Sequence, residues 1–341
     1  MGFSIQNLSV LERSRAAPRD GLIDCKNCPY KDECGGFYIY DDSRWCDGDC
    51  DDCRAICCQK SEHFKLAENM GGVSWEDVAW DKWHIEYPDF LWTVGGKVGR
   101  IKEPVYLIPV DSLINKTTWN WAGTVNLRER FAISESSKIG ITFAFKDWLL
   151  DFLQLDEDFT YKNLRKFDVD FILPIDYSVW YNYPRLDQLI QMKRKMLSMK
   201  RLQDSGIRTI PDITLDTKQD TIRWAQWLED NDCNICFYCM QRVKVRNAKR
   251  WSKGMKYVKL LRELRPDLHF LFAGVNRSNM KKVFELVGDK FSVVNSAAWV
   301  YSEMRMDILT RERLRNKNYS VIDAFKRNIK RLKDFRKEIC G

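Results

Sequence analysis

From about residue 130 onwards, short apolar runs alternate with longer amphipathic stretches along the chain. Each run has the length of a β-strand, and each stretch that follows repeats its apolar residues with helical spacing. The predicted strands cover residues 139–145, 169–175, 207–215, 233–240, 269–275 and 291–296. The predicted helices cover residues 148–155, 186–205, 217–230, 252–264 and 279–287. Nearly continuous apolar strands that alternate with helices predict a parallel sheet covered on both faces.

The number of these units predicts the class of fold. Six strand–helix units, with one or two more strands from residues 100–130, fit a (β/α)8-type barrel, complete or incomplete. The segment Val-Tyr-Leu-Ile-Pro at 105–109 is one candidate strand. An open doubly wound sheet is the alternative. The chain contains neither G-x-G-x-x-G nor G-x-x-x-x-G-K, which disfavours dinucleotide-binding and P-loop folds.

The C-terminal segment predicts one further helix with a basic face. Ser320 can cap its first turn, with Asp323 as the partner in a capping box. Apolar residues at helical spacing form one stripe: Ile322, Phe325, Ile329, Leu332 and Phe335. Many other positions are basic: Lys326, Arg327, Lys330, Arg331, Lys333, Arg336 and Lys337. We expect the stripe to dock on the protein, while the basic face is either simply solvated or contacts nucleic acid.

Charge is distributed unevenly in this chain of 341 residues, whose formal net charge is +8. Acidic residues concentrate in 41–53, whereas Lys and Arg concentrate in 242–265 and 311–338. This asymmetry predicts a partner that carries phosphate groups, either nucleic acid or a nucleotide. No apolar run reaches the roughly 18 residues of a membrane helix, and residues 1–20 lack the apolar core of a secretion signal. We therefore expect a cytoplasmic protein with no membrane partner.

Composition divides the chain into five segments. Residues 1–24 form a polar lead-in, residues 25–60 a cysteine-rich metal module, and residues 61–125 an aromatic-rich connector. The β/α barrel is assigned to residues 126–310 and the basic helix to residues 311–341. The cysteine-rich module has too much Asp, Gly and Cys to form a hydrophobic core. We expect a bound metal to hold it together.

Eight of the twelve cysteines lie within residues 25–58. Disulfides, zinc or an iron–sulfur cluster are the three physical explanations for such a density. An intracellular protein keeps its thiols reduced, which disfavours disulfides. The predicted metal ligands are Cys25, Cys28, Cys34, Cys46, Cys50, Cys53, Cys57 and Cys58.

Two overlapping quartets of these cysteines have the spacing of a metal site. One quartet has a separation near that of a zinc ribbon and consists of Cys25, Cys28, Cys50 and Cys53. The other is more compact and consists of Cys46, Cys50, Cys53 and Cys57. The compact quartet favours a [4Fe–4S] cluster, because each short loop can wrap one corner of the cube. Zinc and iron–sulfur both stay open as cofactors.

The triplet Cys46-x3-Cys50-x2-Cys53 also resembles the signature of radical S-adenosylmethionine enzymes. In that family the triplet follows the first barrel strand, a position that residues 37–40 would occupy. Two features depart from the family pattern. Asp52 stands where an aromatic residue usually precedes the third cysteine, and no Gly-Gly-Glu segment follows the next strand. The resemblance implies an iron–sulfur cluster and leaves a radical enzyme as one alternative.

A second group of cysteines, Cys233, Cys236 and Cys239, lies on an apolar run of strand type. Because strand side chains alternate with period two, a spacing of three places successive cysteines on opposite faces. We expect these three cysteines to be buried small hydrophobic residues and not one metal site.

In a parallel barrel the C-terminal ends of the strands form the working face. Eight polar residues are predicted to reach this face: Asp176, Ser178, Asp212, Gln241, Arg242, Asn276, Arg277 and Asn295. Arginine suits phosphate, and Asp and Asn suit the edges of bases, so the set predicts a nucleotide-binding mouth. For Asp176 and Asp212 the simpler alternative is that each caps the helix that follows it.

Residues 168–215 resemble part of an uncharacterised family of phage and bacterial proteins. The resemblance rests on Asp176-Tyr-Ser178 and Tyr183-Pro184 after one strand, and on Gly-Ile-Arg-Thr-Ile-Pro211 before the next. The family pattern, P-D-F-S-L-Y…M-P…V-I-P, lends no established activity. It implies a phage-encoded protein that works in the host cytoplasm.

Two later segments resemble the last two strands of guanine transglycosylase barrels. They are His269-Phe-Leu-Phe-Ala-Gly-Val-Asn276-Arg277 and Phe291-Ser-Val-Val-Asn295-Ser-Ala-Ala-Trp299. Those enzymes exchange guanine for a 7-deazaguanine in RNA, and a phage branch does so in DNA. The family's zinc site is C-terminal, whereas the cysteines of this chain are N-terminal.

The transglycosylase resemblance also implies roles for individual residues. In the DNA-modifying branch an Asp-Ser-x-x-Trp segment carries the nucleophilic Asp, and the matching residue here is Asn295. An amide cannot form the covalent sugar intermediate that a carboxylate forms. Asp176 matches the family's proton-transferring Asp. The predicted substrate-binding residues are the working-face residues Ser178, Gln241, Arg242, Asn276 and Arg277, together with Trp299 of this segment.

Three hypotheses about function follow from the sequence. The leading one is a metal-containing barrel that acts on nucleic acid or nucleotides, with transglycosylase-like modification of DNA and catalytic positions Asp176, Asp212 and Asn295. The second is a non-enzymatic module with structural zinc that binds nucleic acid or protein. The third is a radical S-adenosylmethionine enzyme.

Overall fold

The computed structural model describes residues 67–75, 87–99, 101–115, 121, 126–143, 157–177, 179, 185–240, 248–314 and 319–340. The eight cysteines of residues 25–58 lie outside the described residues, as do Ser178, Gln241 and Arg242. The chain divides into two compact units. The smaller unit comprises Met1–Glu76 with Ser178–Met196, and the larger comprises Asp77–Tyr177 with Leu197–Gly341.

Seven parallel strands form a nearly closed, barrel-shaped sheet in the larger unit. Their order in the sheet is β4-β3-β2-β1-β7-β6-β5, and every neighbouring pair is parallel. The strands are β1 (Phe90–Thr93), β2 (Val105–Pro109), β3 (Lys138–Thr142), β4 (Phe171–Leu173), β5 (Ile235–Cys239), β6 (His269–Ala273) and β7 (Phe291–Asn295). This order confirms the predicted parallel α/β architecture and is consistent with a (β/α)8-type barrel.

Residues 209–213, here called the closing segment, join the two edge strands of the sheet. Parallel bridges link Thr209 to Ile172 of β4 and Asp212 to Phe237 of β5. The amide of Phe237 donates to the carbonyl of Pro211 at 2.6 Å, and its own carbonyl accepts from Ile213 at 2.9 Å. Pro211 has no N–H to extend this ladder towards the start of β5, so the segment makes bridges but no regular strand.

The predicted strands agree with the structure, with one addition. Four of the six predicted runs contain β4 to β7, the run 139–145 covers β3 except for its first residue, and the run 207–215 contains the closing segment. The segment at 105–109 is β2, as expected. β1 was not predicted, because all four of its residues are buried and show no alternation within an aromatic-rich stretch. Both β1 and β2 lie in the segment that composition assigned to the connector.

Besides the short 3-10 helix Val110–Ser112, eight α-helices have their bounds among the described residues. They are α1 (Leu127–Phe131), α2 (Glu157–Leu164), α3 (Arg185–Asp204), α4 (Lys218–Asp230), α5 (Ala248–Leu264), α6 (Arg277–Val287), α7 (Ala297–Glu303) and α8 (Val321–Cys340). The predicted capping box of α8 is present, since Ser320 Oγ accepts from the Asp323 amide at 3.0 Å and the Asp323 carboxylate accepts from the Ser320 amide at 3.4 Å. No helix among these residues is long and apolar enough to cross a membrane.

In the smaller unit, the described side chains include a buried lysine on α3. Lys193 is fully buried, and its Nζ donates to the carbonyl of Ser74 at 2.8 Å. A buried ammonium needs such a partner, because removal from water is costly for an unpaired charge.

The barrel lumen is filled by one apolar cluster. Its members come from five strands (β1, β2, β4, β5 and β6) and from the closing segment. They are Leu91, Val105, Leu107, Phe171, Leu173, Ile210, Ile235, Phe237, Cys239, Leu271 and Ala273. Gly140 on β3 makes room for two of them, since a Cβ there would lie 2.7 Å from both Leu107 and Phe171. The lumen is therefore a packed core at this level and not a channel.

Arg336 fastens α8 to the N-terminal ends of β1 and β7. Its guanidinium donates to the carbonyl of Phe291 at 2.8 Å and to that of Asp89 at 3.2 Å, and it pairs with the Asp89 carboxylate at 3.1 Å. It also stacks over the Phe291 ring at 4.1 Å. Arg336 is only 5% exposed, so it belongs to the docking side of α8 and not to its basic face.

A buried histidine lies at the same end of the barrel. His269 Nε2 is 2.8 Å from Ser292 Oγ, and its ring stacks on Tyr87 at 4.2 Å. Burial, together with the nearby Arg336 guanidinium, lowers the pKa of His269 to about 4. The folded protein therefore keeps this imidazole neutral at pH values where an unfolded chain would protonate it.

We predict that stability falls as the pH drops from about 6.5 to about 4. Within this window the unfolded chain binds a proton at His269 that the folded protein does not bind, so the loss reaches on the order of 3 kcal/mol. Chemical unfolding of the wild type and of His269→Gln should be followed across this range. The variant should be less stable at pH 7 but show a smaller pH dependence; equal pH dependence in both proteins would contradict the prediction.

Candidate functional site at the C-terminal rim of the barrel

The carboxyl ends of all seven strands meet at one edge of the sheet, because every strand pair is parallel. We call this edge the rim. Strand register identifies the rim side chains that face the lumen. Thr93 ends β1 and is paired with Leu107, and Thr142 ends β3 and is paired with Leu173. Both partners belong to the lumen cluster, so both threonines share that face.

Asp212 is a carboxylate inside the lumen. It is paired with Phe237, a member of the lumen cluster, and it is 0% exposed. Its backbone amide lies 3.4 Å from the sulfur of Met199 on α3. Helix α4 is capped instead by Thr217, whose hydroxyl accepts from the Asp220 amide at 2.9 Å. The alternative that Asp212 caps the following helix is therefore wrong.

The three cysteines on and before β5 occupy different faces, as predicted. Cys239 is paired with Ala273 and faces the lumen at the end of β5, whereas Cys236 is paired with Phe270 on the outer face. Burial raises the pKa of Cys233 to about 12 and that of Cys236 well above its usual value. The Asp212 carboxylate adds to the shift at Cys236. Both thiols therefore stay protonated and are poor nucleophiles and metal ligands.

Asp176 follows β4 at the rim and is half-buried. It stands three residues after Leu173, between the buried residues Ile175 and Tyr177. The amide of Ile175 lies 3.4 Å from the hydroxyl of Ser198 on α3, which holds this turn against the helix. The structure thus leaves Asp176 on the rim, with partial access to solvent.

Asn276 and Arg277 follow β6 and lie at the start of α6, where Asn276 is the cap and Arg277 is the first helical residue. The Asn276 carboxamide accepts from the amide of Ser278 at 2.9 Å and from its hydroxyl at 2.6 Å, so Asn276 is the helix cap. Arg277 is directed towards α8, with its guanidinium 5.4 Å from the Phe335 ring and 3.5 Å from the carbonyl of Leu309. Both side chains remain exposed.

Asn295 ends β7 but does not face the lumen. It is paired with Trp92, whereas its neighbour Val294 is paired with Leu91 of the lumen cluster. Because adjacent strand residues face opposite sides, Asn295 lies on the outer face. Its carboxamide accepts from the amide of Ala298 at 2.8 Å in the first turn of α7. The position that resembles a nucleophile is therefore a helix-capping residue here.

Trp299 on α7 closes the side of the rim above β1. A Cβ on Gly95 or Gly96 would lie 3.0–3.1 Å from its indole, so a side chain at either position would require the indole to shift by a few tenths of an ångström. The indole also meets the Phe325 ring edge-on, with centroids 5.1 Å apart. Its N–H has no hydrogen-bond partner among the described residues, and the side chain is 7% exposed.

The structure therefore sorts the predicted site residues into two groups. Asp176 and Asp212 reach the rim or the lumen, while Asn276, Arg277, Asn295 and Trp299 cap or pack helices. Thr93, Thr142 and Cys239 were not predicted as lumen residues. Each is the last residue of its strand and lies two residues after a residue on the lumen face of the same strand. This alternation identifies them from the sequence only once the strand ends are known. No group suited to a metal ion occurs within the described parts of the chain.

Comparison with protein-family models finds no match to this chain, and comparison with curated proteins finds none either. The site is therefore argued from its own residues.

We predict that Asn295 acts as a cap and not through its reactivity. Asn295→Ala should lower the free energy of unfolding by about 0.5–2 kcal/mol, whereas Asn295→Ser should lose less, because serine caps about as well and adds no charge at this buried position. Thermal or urea unfolding of both variants measures the effect. A similar loss of stability in the two variants would argue against the capping role.

Proposed function

We propose that the rim binds a nucleotide unit of nucleic acid. In this proposal Asp212 and Asp176 catalyse a transglycosylase-like exchange of the base of that nucleotide. The observation that carries this proposal is the fully buried carboxylate of Asp212 on the lumen face of the closing segment. Burying a carboxylate is costly even where it is paired, and replacing a buried charged group by an apolar side chain is often neutral or stabilising, so burial gives Asp212 no evident advantage for stability. Buried ionisable groups of this kind are concentrated at functional sites.

The two carboxylates suit the two halves of an exchange at the sugar carbon. Because Asp212 is fully buried, the proposal requires the packing over it to open and admit the sugar; Asp212 then attacks the carbon and forms a sugar–enzyme ester while the bond to the base breaks. The leaving base takes the bonding electron pair and a proton from Asp176. A second base then attacks the same carbon, releases Asp212 and returns a proton to Asp176. Asp212 thus takes the role that the family resemblance assigned to position 295.

We predict that Asp212→Asn abolishes base exchange, because an amide cannot form the ester. The measurement is the rate at which labelled guanine or 7-deazaguanine is incorporated into DNA and RNA. The rate of Asp212→Asn should be lower than that of the wild type by roughly 100-fold or more. Asp176→Asn should slow the reaction most for poor leaving bases. Asp204→Asn, an exposed aspartate at the end of α3, is the matched control and should retain full activity. Undiminished exchange in Asp212→Asn would refute the assignment.

A non-enzymatic binding module is the second candidate, and the capping role of Asn295 favours it. A barrel that has lost its ancestral nucleophile can retain a ligand site without turnover. In that case nucleotides bind to the wild type, no base is exchanged, and Asp212→Asn alters affinity alone. Calorimetric titration with nucleoside monophosphates, run beside the exchange assay, separates the two candidates.

We further propose that residues 25–58 hold zinc or a [4Fe–4S] cluster, with ligands drawn from the eight cysteines. The support is their spacing, because four thiolates can be gathered around one ion or cluster in either of two quartets. Cys50 and Cys53 belong to both quartets, so the remaining pairs distinguish them.

We predict that anaerobic purification yields a protein with bound metal, and that the absorption spectrum identifies it. A brown protein indicates iron–sulfur, and a colourless one with bound zinc indicates a ribbon. Cys25→Ser with Cys28→Ser should release the metal of a ribbon, whereas Cys46→Ser with Cys57→Ser should release the compact cluster. Cys340→Ser serves as the control. A metal-free preparation, or metal retained in both double variants, would exclude these sites.

A further inference from the structure

Four lysines form one line along α8. Lys326, Lys330, Lys333 and Lys337 are spaced by four, three and four residues, which keeps them on one face of a helix. At a rise of 1.5 Å per residue the line is about 16 Å long. We call these four residues the lysine line.

The basic residues of α8 have two different roles. The arginines hold the helix in place: Arg327 and Arg331 both pair with the buried carboxylate of Asp307 at 3.2 Å, and Arg336 is buried. By contrast, Lys326, Lys330 and Lys337 are exposed. Lys333 anchors the middle of the line, since its Nζ lies 2.6 and 2.8 Å from the two oxygens of buried Glu103.

The lysine line belongs to the C-terminal part of the chain, which is rich in basic residues. Residues 242–341 contain 26 Lys and Arg against 10 Asp and Glu, whereas residues 1–241 contain 30 against 38. The surplus of positive charge is thus carried entirely by the last 100 residues. A net positive charge concentrated in one part of the chain favours association with a polyanion.

The first turns of α8 lie beside the rim. Phe325 meets Trp299 edge-on, and Trp299 covers the two glycines that follow β1. Ile322 lies 3.2 Å from where a Cβ of Gly99 would stand. Lys326 directly follows Phe325, so the lysine line starts close to the rim and leads away from it along the helix.

We infer that the lysine line binds the phosphodiester backbone of a nucleic acid strand whose neighbouring nucleotide occupies the rim. The choice of nucleic acid rests on the proposed function, but the surface itself is argued from exposure, spacing and charge. Spaced ammonium groups neutralise successive phosphates and release their counterions without reading the sequence. The line therefore supplies affinity and position, while any selectivity for a base comes from the rim.

The test compares two triple variants with equal loss of charge. One is Lys326→Gln, Lys330→Gln and Lys337→Gln. The control replaces exposed lysines on α2, the turn after it and α4: Lys162→Gln, Lys166→Gln and Lys218→Gln. Fluorescence anisotropy with labelled 20-nucleotide DNA and RNA strands, and with a DNA duplex, is measured from 50 to 300 mM salt.

The lysine-line variant should bind roughly tenfold or more weakly than the control at the lowest salt concentration. The slope of log K against log salt should decrease by about 2 for single strands or about 3 for duplex. Equal affinity and slope in the two triple variants would overturn the inference, and so would wild-type binding that does not depend on salt or is absent.

The two proposals fail in different ways. If Asp212→Asn loses base exchange but binds long strands normally, while the lysine-line variant loses strand binding, both proposals stand. If the lysine-line variant binds like the control and Asp212→Asn still loses exchange, the rim chemistry survives and the backbone surface is refuted. We also expect the lysine-line variant to exchange the base of free nucleotides at the wild-type rate, because a free nucleotide does not extend to the lysine line.

Discussion

Closure of the sheet between β4 and β5 is the constraint on which the rest of the structure depends. The two strands are edge strands, and the closing segment bridges both of them through Thr209 and Asp212. Without these bridges the sheet would expose two edges and leave one side of the lumen cluster open. Pro211 limits the closure to short contacts, because it has no N–H for the ladder. The barrel is therefore completed by very few hydrogen bonds.

The same closure brings a carboxylate into an apolar interior. Asp212 is paired with Phe237, so the register that joins the segment to β5 also fixes the side chain on the lumen face. A shift by one residue would turn Asp212 outwards and place its apolar neighbours in the lumen. Barrel closure and the candidate chemistry are thus linked through one backbone register.

Along α8, charged side chains have a structural role. Arg336, Arg327 and Arg331 use backbone carbonyls and two carboxylates to fasten α8 across the barrel, and Lys333 does the same through Glu103. The remaining lysines face solvent. One helix therefore combines an apolar stripe, a set of structural ion pairs and an exposed cationic surface. The guanidinium suits the buried contacts because its planar donors can reach several oxygens at once.

The sequence by itself determined the parallel α/β architecture, most strand and helix positions, the capping box of Ser320 and Asp323, and the opposite faces of Cys236 and Cys239. These features depend on local spacing, and local spacing is written in the chain. The tertiary structure decided what followed from contacts between distant residues. It recruited β1 to the sheet, assigned Asn295 and Asn276 to helix caps, and placed Asp212 in the lumen. A strand end looks the same in sequence whichever face its last side chain takes, because only pairing with a neighbouring strand fixes that choice.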